Sequence, residues 1–230
     1  MHQGWIKICG IRDTETASSV AKLDPNAIGL NFYEKTPRCI DIDTATTIVR
    51  ELPDNIEAIG LFVNHSVDEV ASITDQTKIS AVQLHGDESP AFLADLYSQR
   101  PQLKLIKAYR VGSNGLEPLS HFLDECGQLE VDLSACLLDA RVDGAFGGTG
   151  KTIAWDFVSE NYPFDEWPPL VLAGGLTPSN IAAAIETVQP WGVDVSSGVE
   201  SSPAVKDIAQ CKNLIDQARA AFEQHDQPKS

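Results

Sequence analysis

Positive charge is scarce in this chain. Its 230 residues carry 17 Lys and Arg against 33 Asp and Glu, a formal net charge of −16, and the sequence pI is about 4.5. Such a surface repels nucleic-acid phosphates and anionic membranes, so neither partner is expected. An anionic substrate would need local cations that overcome the global field. Cysteine is sparse too. Cys9, Cys39, Cys126, Cys136 and Cys211 are odd in number and none forms a C-x-x-C pair. That argues against a disulfide framework and a zinc site, and it suits a reducing cytoplasm. No basic stretch followed by a long apolar run opens the chain, and no run of about 18 apolar residues occurs, so neither a signal peptide nor a membrane span is expected.

One glycine motif stands out, GGTGKT at Gly147–Thr152. A nucleotide-binding P-loop needs Gly, four residues, then Gly-Lys-Ser/Thr. Gly150, Lys151 and Thr152 supply the end, but Ala145 stands where the first glycine belongs and Gly144 is one residue too early. The P-loop pattern fails, and the loop needs another explanation.

Short apolar runs recur at even intervals: Trp5–Ile11, Ala27–Tyr33, Ala58–Asn64, Ala81–Gly86, Leu103–Val111, Cys136–Ala140, Pro169–Leu176 and Gly192–Glu200. They are continuous rather than alternating, which suits parallel strands covered on both faces. Helix-like segments lie between them. Asp13 or Thr14 caps the first, Asp43 or Thr44 the second and Ser66 the third; Ser89-Pro90 and Thr177-Pro178 place proline in a first turn, and Pro203 opens a last helix to about Phe222. Alternation of this kind implies a parallel sheet with right-handed crossovers. Eight strand–helix units in a chain of this length predict an α/β fold, a single-domain (β/α)8 TIM barrel spanning residues 1–230 with a polar tail from about residue 224. A doubly wound sheet is the competitor, but no G-x-G-x-x-G follows the first run.

In a barrel the site forms at the C-terminal strand ends. Lys7, Cys9, Asn31, Asn64, Gln83, His85, Lys107, Asp139, Gly174, Gly175, Asp194, Ser196 and Ser197 all fall there. Glycine-bearing loops after the seventh and eighth strands let backbone N–H groups approach an anion, which points to a phosphate. Cys9 is a core hydrophobe or a thiolate base. Asp139 is a loop cap or an acid in apolar surroundings. Arg38 is a solvated loop residue or a planar fork for a carboxylate. His85 and Asp194 contact a ligand or satisfy the barrel's own groups.

The stretches KICGIRD, GLNFYEKTPR, GLFVN, VQLHGDE, LLDA, GGTGKTIAWD, LAGGLTPSNI and GVDVSSGVESSPAVKD, in this order from Lys7 to about Asp207, resemble phosphoribosylanthranilate isomerase of tryptophan biosynthesis, in its monofunctional form. The departures are Asn31, more often an apolar residue in that family, and the polar tail. The resemblance implies an Amadori rearrangement of N-(5-phosphoribosyl)anthranilate to 1-(2-carboxyphenylamino)-1-deoxyribulose 5-phosphate, with no cofactor and no metal. Asp139 would be the general acid and Cys9 the general base. Arg38 would hold the anthranilate carboxylate, with Lys7, His85 and Asp194 also contacting substrate. Gly174, Gly175, Ser196, Ser197 and Gly198 would grip the phosphate. The loop with Gly147, Gly148 and Gly150 would fold over the site as a lid. The expected partner is a small phosphorylated substrate, with the enzyme a cytoplasmic monomer or homodimer. The alternatives are a non-catalytic barrel that binds a phosphorylated metabolite and a histidine-pathway aminoaldose isomerase. The latter uses paired aspartates at strands one and five, where this chain offers Cys9 and Lys107.

Overall fold

A run of buried apolar residues can form a strand only if both of its faces are covered, and the chain meets that condition by closing its sheet. A computed structural model describes residues 4–112, 114–139 and 153–225. Eight parallel strands pair in chain order and close through the first and last. They are β1 (Trp5–Cys9), β2 (Ala27–Asn31), β3 (Glu57–Phe62), β4 (Ala81–Leu84), β5 (Lys104–Arg110), β6 (Ala135–Asp139), β7 (Leu170–Ala173) and β8 (Gly192–Val195). The helices between them are α1 (Thr14–Ala21), α2 (Ile42–Glu51), α3 (Val67–Thr77), α4 (Pro90–Gln99), α5 (Glu117–Gln128), α6 (Ile153–Asn161) and α7 (Ile181–Val188), and α8 (Ile208–His225) follows the barrel. This is the expected (β/α)8 barrel. Among the described residues no helix is long and apolar enough to cross a membrane.

Two apolar layers hold it. Inside the barrel, Ala27, Ile59, Ala81, Ile106, Ala108, Ala135, Leu137, Val171 and Ala173 pack on one another. Trp5 and Trp191 stack at its N-terminal end with ring centroids 5.2 Å apart. Outside, the other strand face packs on the helices, as Ile8, Leu30, Phe62, Leu84, Leu138 and Leu172 do. With apolar side chains filling the lower barrel, polar groups are left to the C-terminal mouth.

Several helix starts differ from the sequence reading. Asp13 does cap α1, accepting from Thr16 N. Helix α2 is capped two residues early, by Asp41 accepting from Thr44 N, so Asp43 lies inside its first turn. Ser66 and Glu69 form a capping box on α3. Thr177-Pro178 does not open α7; the chain turns there while Thr177 N donates to Asn180 Oδ1 at 2.8 Å, and Asn180 becomes the N-cap. Pro203 does not open α8 either. It sits in the turn of a small hairpin, β9 (Glu200–Ser202) and β10 (Val205–Lys206), whose following residue Ala204 has φ +65. The hairpin forms because the carboxylate of Glu200 accepts from Ala204 N at 3.1 Å, closing the turn. Gln224 and His225, expected in a polar tail, belong to α8, and residues 226–230 lie outside the described residues.

Candidate active site

Lys7 cannot reach water. It points into the barrel with no exposure, and its ammonium needs partners there. Nζ donates to Gln83 Oε1 at 2.7 Å and to Asp194 Oδ2 at 3.0 Å. Lys7 and Asp194 are direct neighbours in the β1–β8 register. Burial opposes the charge on Lys7, but Asp194 and Cys9 together outweigh it, and the pKa is raised. Lys7 is therefore a fixed cation and not a base.

The network continues to His85. An ammonium only donates, so Gln83 must turn its oxygen to Lys7 and its NH2 outward. That NH2 lies 2.9 Å from His85 Nδ1, which must accept. His85 is thus the tautomer with its proton on Nε2, and that N–H is its remaining donor. Burial lowers the pKa of His85, in keeping with a neutral ring. Asp194 has one satisfied oxygen, Oδ2. Among the described residues its Oδ1 is buried without a hydrogen-bond partner, in a residue 7% exposed. A buried acceptor left unmade costs about 1–3 kcal/mol, so it marks a place for a donor.

Cys9 ends β1 beside this network and is 4% exposed. Gly29 across the sheet makes room for it: a Cβ there would stand 2.5 Å from Cys9 Sγ. Burial pushes the Cys9 thiol up from its ordinary 9.0, and Lys7 only partly offsets this. The resting group is a thiol at neutral pH. Alkylation of Cys9 by iodoacetamide, followed by peptide mass spectrometry, is expected to be slow at neutral pH and to accelerate about tenfold per pH unit, because only the thiolate reacts. The rise should continue past 9; a rate that levels off below about pH 8 would contradict the raised value.

Gly10 follows Cys9 with φ +83, a left-handed turn that favours glycine. A Cβ there would lie 2.7 Å from Arg38 Cδ and 3.2 Å from Ser196 Oγ. The Arg38 stem and the β8 loop therefore converge directly over the residue after Cys9. The Arg38 fork is occupied on one edge: Nε donates to Glu200 Oε1 at 2.8 Å and Nη2 to Glu200 Oε2 at 2.6 Å.

The two glycine loops meet as well. Gly174 and Gly175 have φ +87 and +67. A Cβ on Gly198 would sit 1.8 Å from Leu176 O, so only glycine allows the β8 loop to touch the β7 loop. Asn180 Nδ2 donates to Gly175 O at 3.0 Å and braces the turn. Lys206 Nζ donates to Ser196 O at 2.9 Å and to Glu200 Oε1 at 2.8 Å.

Asp139 ends β6, half-buried, beside Arg110 of β5 and Ala173 of β7. The expected lid residues Gly147, Gly148 and Gly150 lie outside the described residues. Lys107 is not part of the site. Strand alternation turns it away from the interior residues Ile106 and Ala108, and its ammonium pairs with Glu88 at 2.9 Å, 5.7 Å from the Phe122 ring centroid. Asn31 and Asn64 serve loop structure: Asn31 Oδ1 accepts from Tyr33 N at 2.9 Å and Asn64 Oδ1 from Asp87 N at 2.6 Å. Among the described residues no group of three or more His, Cys, Asp or Glu is placed to hold a metal ion. A groove of about 750 Å³ lined by Trp167, Pro190, Trp191 and Phe222 lies at the opposite, N-terminal end, away from the Lys7 network.

The sequence reading missed Glu200, Lys206, Asn180 and the bridging part of Gln83. Glu200 and Lys206 were legible only as charges within a motif, with nothing to say that they meet Arg38.

Known proteins match most of the chain in sequence and in fold. A family model described as N-(5'-phosphoribosyl)anthranilate (PRA) isomerase matches residues 6–217. The N-(5'-phosphoribosyl)anthranilate isomerase of Geobacter metallireducens is 40% identical over 216 residues, covering 94% of this chain and 98% of the relative. The crystal structure of phosphoribosyl anthranilate isomerase from Thermotoga maritima is similar with a TM-score of 0.79 at 34% identity, over 94% of this chain and 99% of that one. A crystal structure of phosphoribosyl anthranilate isomerase in complex with reduced 1-(o-carboxyphenylamino)-1-deoxyribulose 5-phosphate gives 0.78 at 31% identity, with the same coverage of 94% and 99%.

Proposed function

The chain belongs to the N-(5'-phosphoribosyl)anthranilate isomerase family, and from that premise we propose how its own residues carry the reaction. The reaction is an aldose–ketose isomerisation, the Amadori rearrangement of tryptophan biosynthesis. An aldose amine becomes an open-chain aminoketose, with a hydrogen moved from C2 to C1. It needs a proton delivered to the furanose ring oxygen and a proton taken from C2.

Asp139 gives its proton to the ring oxygen. The C1–O bond breaks as the anilino nitrogen lone pair forms the C=N bond of a protonated Schiff base. The Cys9 thiolate then removes the C2 proton, and the electron pair forms the C1=C2 bond of an enolamine while the C=N electrons return to nitrogen. The enolamine takes a proton at C1 and loses the one on its C2 hydroxyl, giving the ketone. The pKa of the Cys9 thiol is raised in the resting site, so substrate must meet the fraction that Lys7 keeps ionised. Lys7 stabilises that charge from within the barrel. Asp194 Oδ1 and the Nε2–H of His85 are the acceptor and donor for sugar hydroxyls.

Arg38 holds the anthranilate carboxylate through the donors not spent on Glu200. The backbone of Gly174, Gly175, Ser196, Ser197 and Gly198 receives the phosphate. Two anion sites at a distance fix the ends of a long substrate and hold C1 and C2 between acid and base. The observation that carries this reading is the convergence of Cys9, Arg38 and Ser196 around the left-handed turn at Gly10.

Substrate turnover tests it. With phosphoribosylanthranilate generated in situ and no metal added, the anthranilate fluorescence of the substrate should disappear on addition of the protein. A folded barrel that leaves the signal unchanged would remove the catalytic reading.

A further inference from the structure

Arg38 faces a difficulty that its proposed role creates. A carboxylate clamp must be rigid and must keep a net positive charge. Yet its closest partner is Glu200, an anion with a side chain only 4% exposed. Such a pair fixes the fork but cancels its charge, and the whole chain carries −16.

Lys206 resolves this. Its ammonium, 1% exposed at the side chain, donates to the same Glu200 oxygen, Oε1, that accepts from Arg38 Nε. Two cations thus share one carboxylate, and the cluster keeps a net positive charge. Arg38 is the member nearest solvent, with 23% of its side chain exposed, so that charge faces the mouth. The geometry of the fork agrees. Glu200 takes Nε and Nη2 and leaves the Nη1 end for a second carboxylate. Lys206 also holds Ser196 O, which ties the cluster to the β8 loop.

We propose that Glu200 is a positioning residue for Arg38 and that Lys206 is its charge-balancing partner, so that the β9–β10 hairpin sets the enzyme's selectivity for a carboxylate on the aryl ring of its substrate. This rests on the reading of Arg38 as the carboxylate clamp. Glu200 orients the guanidinium against the stem crossing Gly10. Lys206 prevents Glu200 from neutralising it. Neither residue touches substrate. The pKa of Glu200 shows how strongly the pair acts: burial would raise it, but Arg38 and Lys206 bring it from 4.5 to about 2. The carboxylate therefore stays ionised throughout the working range of pH.

The test is a ratio of two affinities. Dissociation constants are measured for reduced 1-(o-carboxyphenylamino)-1-deoxyribulose 5-phosphate and for its phenylamino counterpart without the carboxylate. Their ratio is the carboxylate preference, and it does not depend on the fraction of protein that is folded. Arg38→Ala should abolish the preference. Glu200→Gln should lower it about tenfold, the worth of one well-aimed charge-assisted hydrogen bond. Lys206→Met should lower it in the same direction. In the Arg38→Ala background, Glu200→Gln should change nothing further. If Arg38→Ala keeps the native preference, the clamp reading itself fails and the inference with it. If Arg38→Ala loses the preference while Glu200→Gln retains it, the clamp stands and the positioning role is overturned. If Lys206→Met alone retains it, the charge-balancing role is overturned.

Discussion

Cys9→Ser and Asp139→Asn are each expected to lower kcat/KM by roughly 10²–10⁴-fold, the usual worth of a positioned acid or base. Binding of the reduced product analogue should change little. Both replacements keep the shape of the site. Serine is smaller than cysteine, and Gly29 already leaves space at that position. Asparagine matches aspartate in size but has no proton to give at the required acidity. A serine hydroxyl at the end of β1 is a far weaker acid than a thiol, so even beside Lys7 it supplies no anion to take the C2 proton. The losses belong to different steps. Asp139→Asn blocks ring opening, so the substrate stays cyclic. Cys9→Ser acts after ring opening and permits exchange of the ring bond without isomerisation. Loss of substrate fluorescence measures both variants. If either keeps native kcat, the residue concerned is not the acid or base assigned to it.

The second large effect lies in the barrel interior. Asp194→Ala leaves the Lys7 ammonium, which has no exposure, without the carboxylate it pairs with. Removing one member of a buried pair costs about 3–5 kcal/mol. At roughly 2–4 °C per kcal/mol for a chain of this size, Tm should fall by about 6–20 °C. The double replacement Lys7→Met with Asp194→Leu should recover most of that loss, since apolar groups of similar volume often replace a buried ion pair without destabilisation. Turnover should not recover with it, because the cation beside Cys9 and the acceptor Oδ1 of Asp194 are both gone. Thermal unfolding and the fluorescence assay separate the two effects. The pair also has a pH signature. The pKa of Lys7 is raised on folding, so its contribution is complete below the ordinary value of 10.5 and is lost as pH rises through the higher folded value. Native protein should lose this increment of stability only in strong alkali, and the apolar double variant should lack that transition. A double variant as unstable as Asp194→Ala would refute the electrostatic account.

The eight strands were legible because a continuous apolar run between capped helical segments has few other uses. Local caps were legible to within about two residues, as at Asp41. The failures share one cause. Pro203 stands at a plausible helix start, and nothing near it in sequence says that Glu200 will instead close a hairpin over it. Lys107 sits at a strand end like the site residues, yet it turns outward, because alternation along β5 gives the interior to Ile106 and Ala108. The reading of Lys107 as the counterpart of a catalytic group at strand five fails on that geometry.

What the sequence by itself determined was the list of reactive groups at the strand ends, the closed α/β architecture and the family pattern. Those depend on periodicity and on residues within a few positions of one another. Only the tertiary structure decided how the groups pair. Lys7 and Asp194 are 187 residues apart in sequence and 3.0 Å apart in space, and Arg38 and Glu200 are 162 residues apart and joined by two hydrogen bonds. Closure of β1 against β8 brings both pairs together, and it turns isolated charges of unreadable purpose into a buried network and a cation held at the mouth.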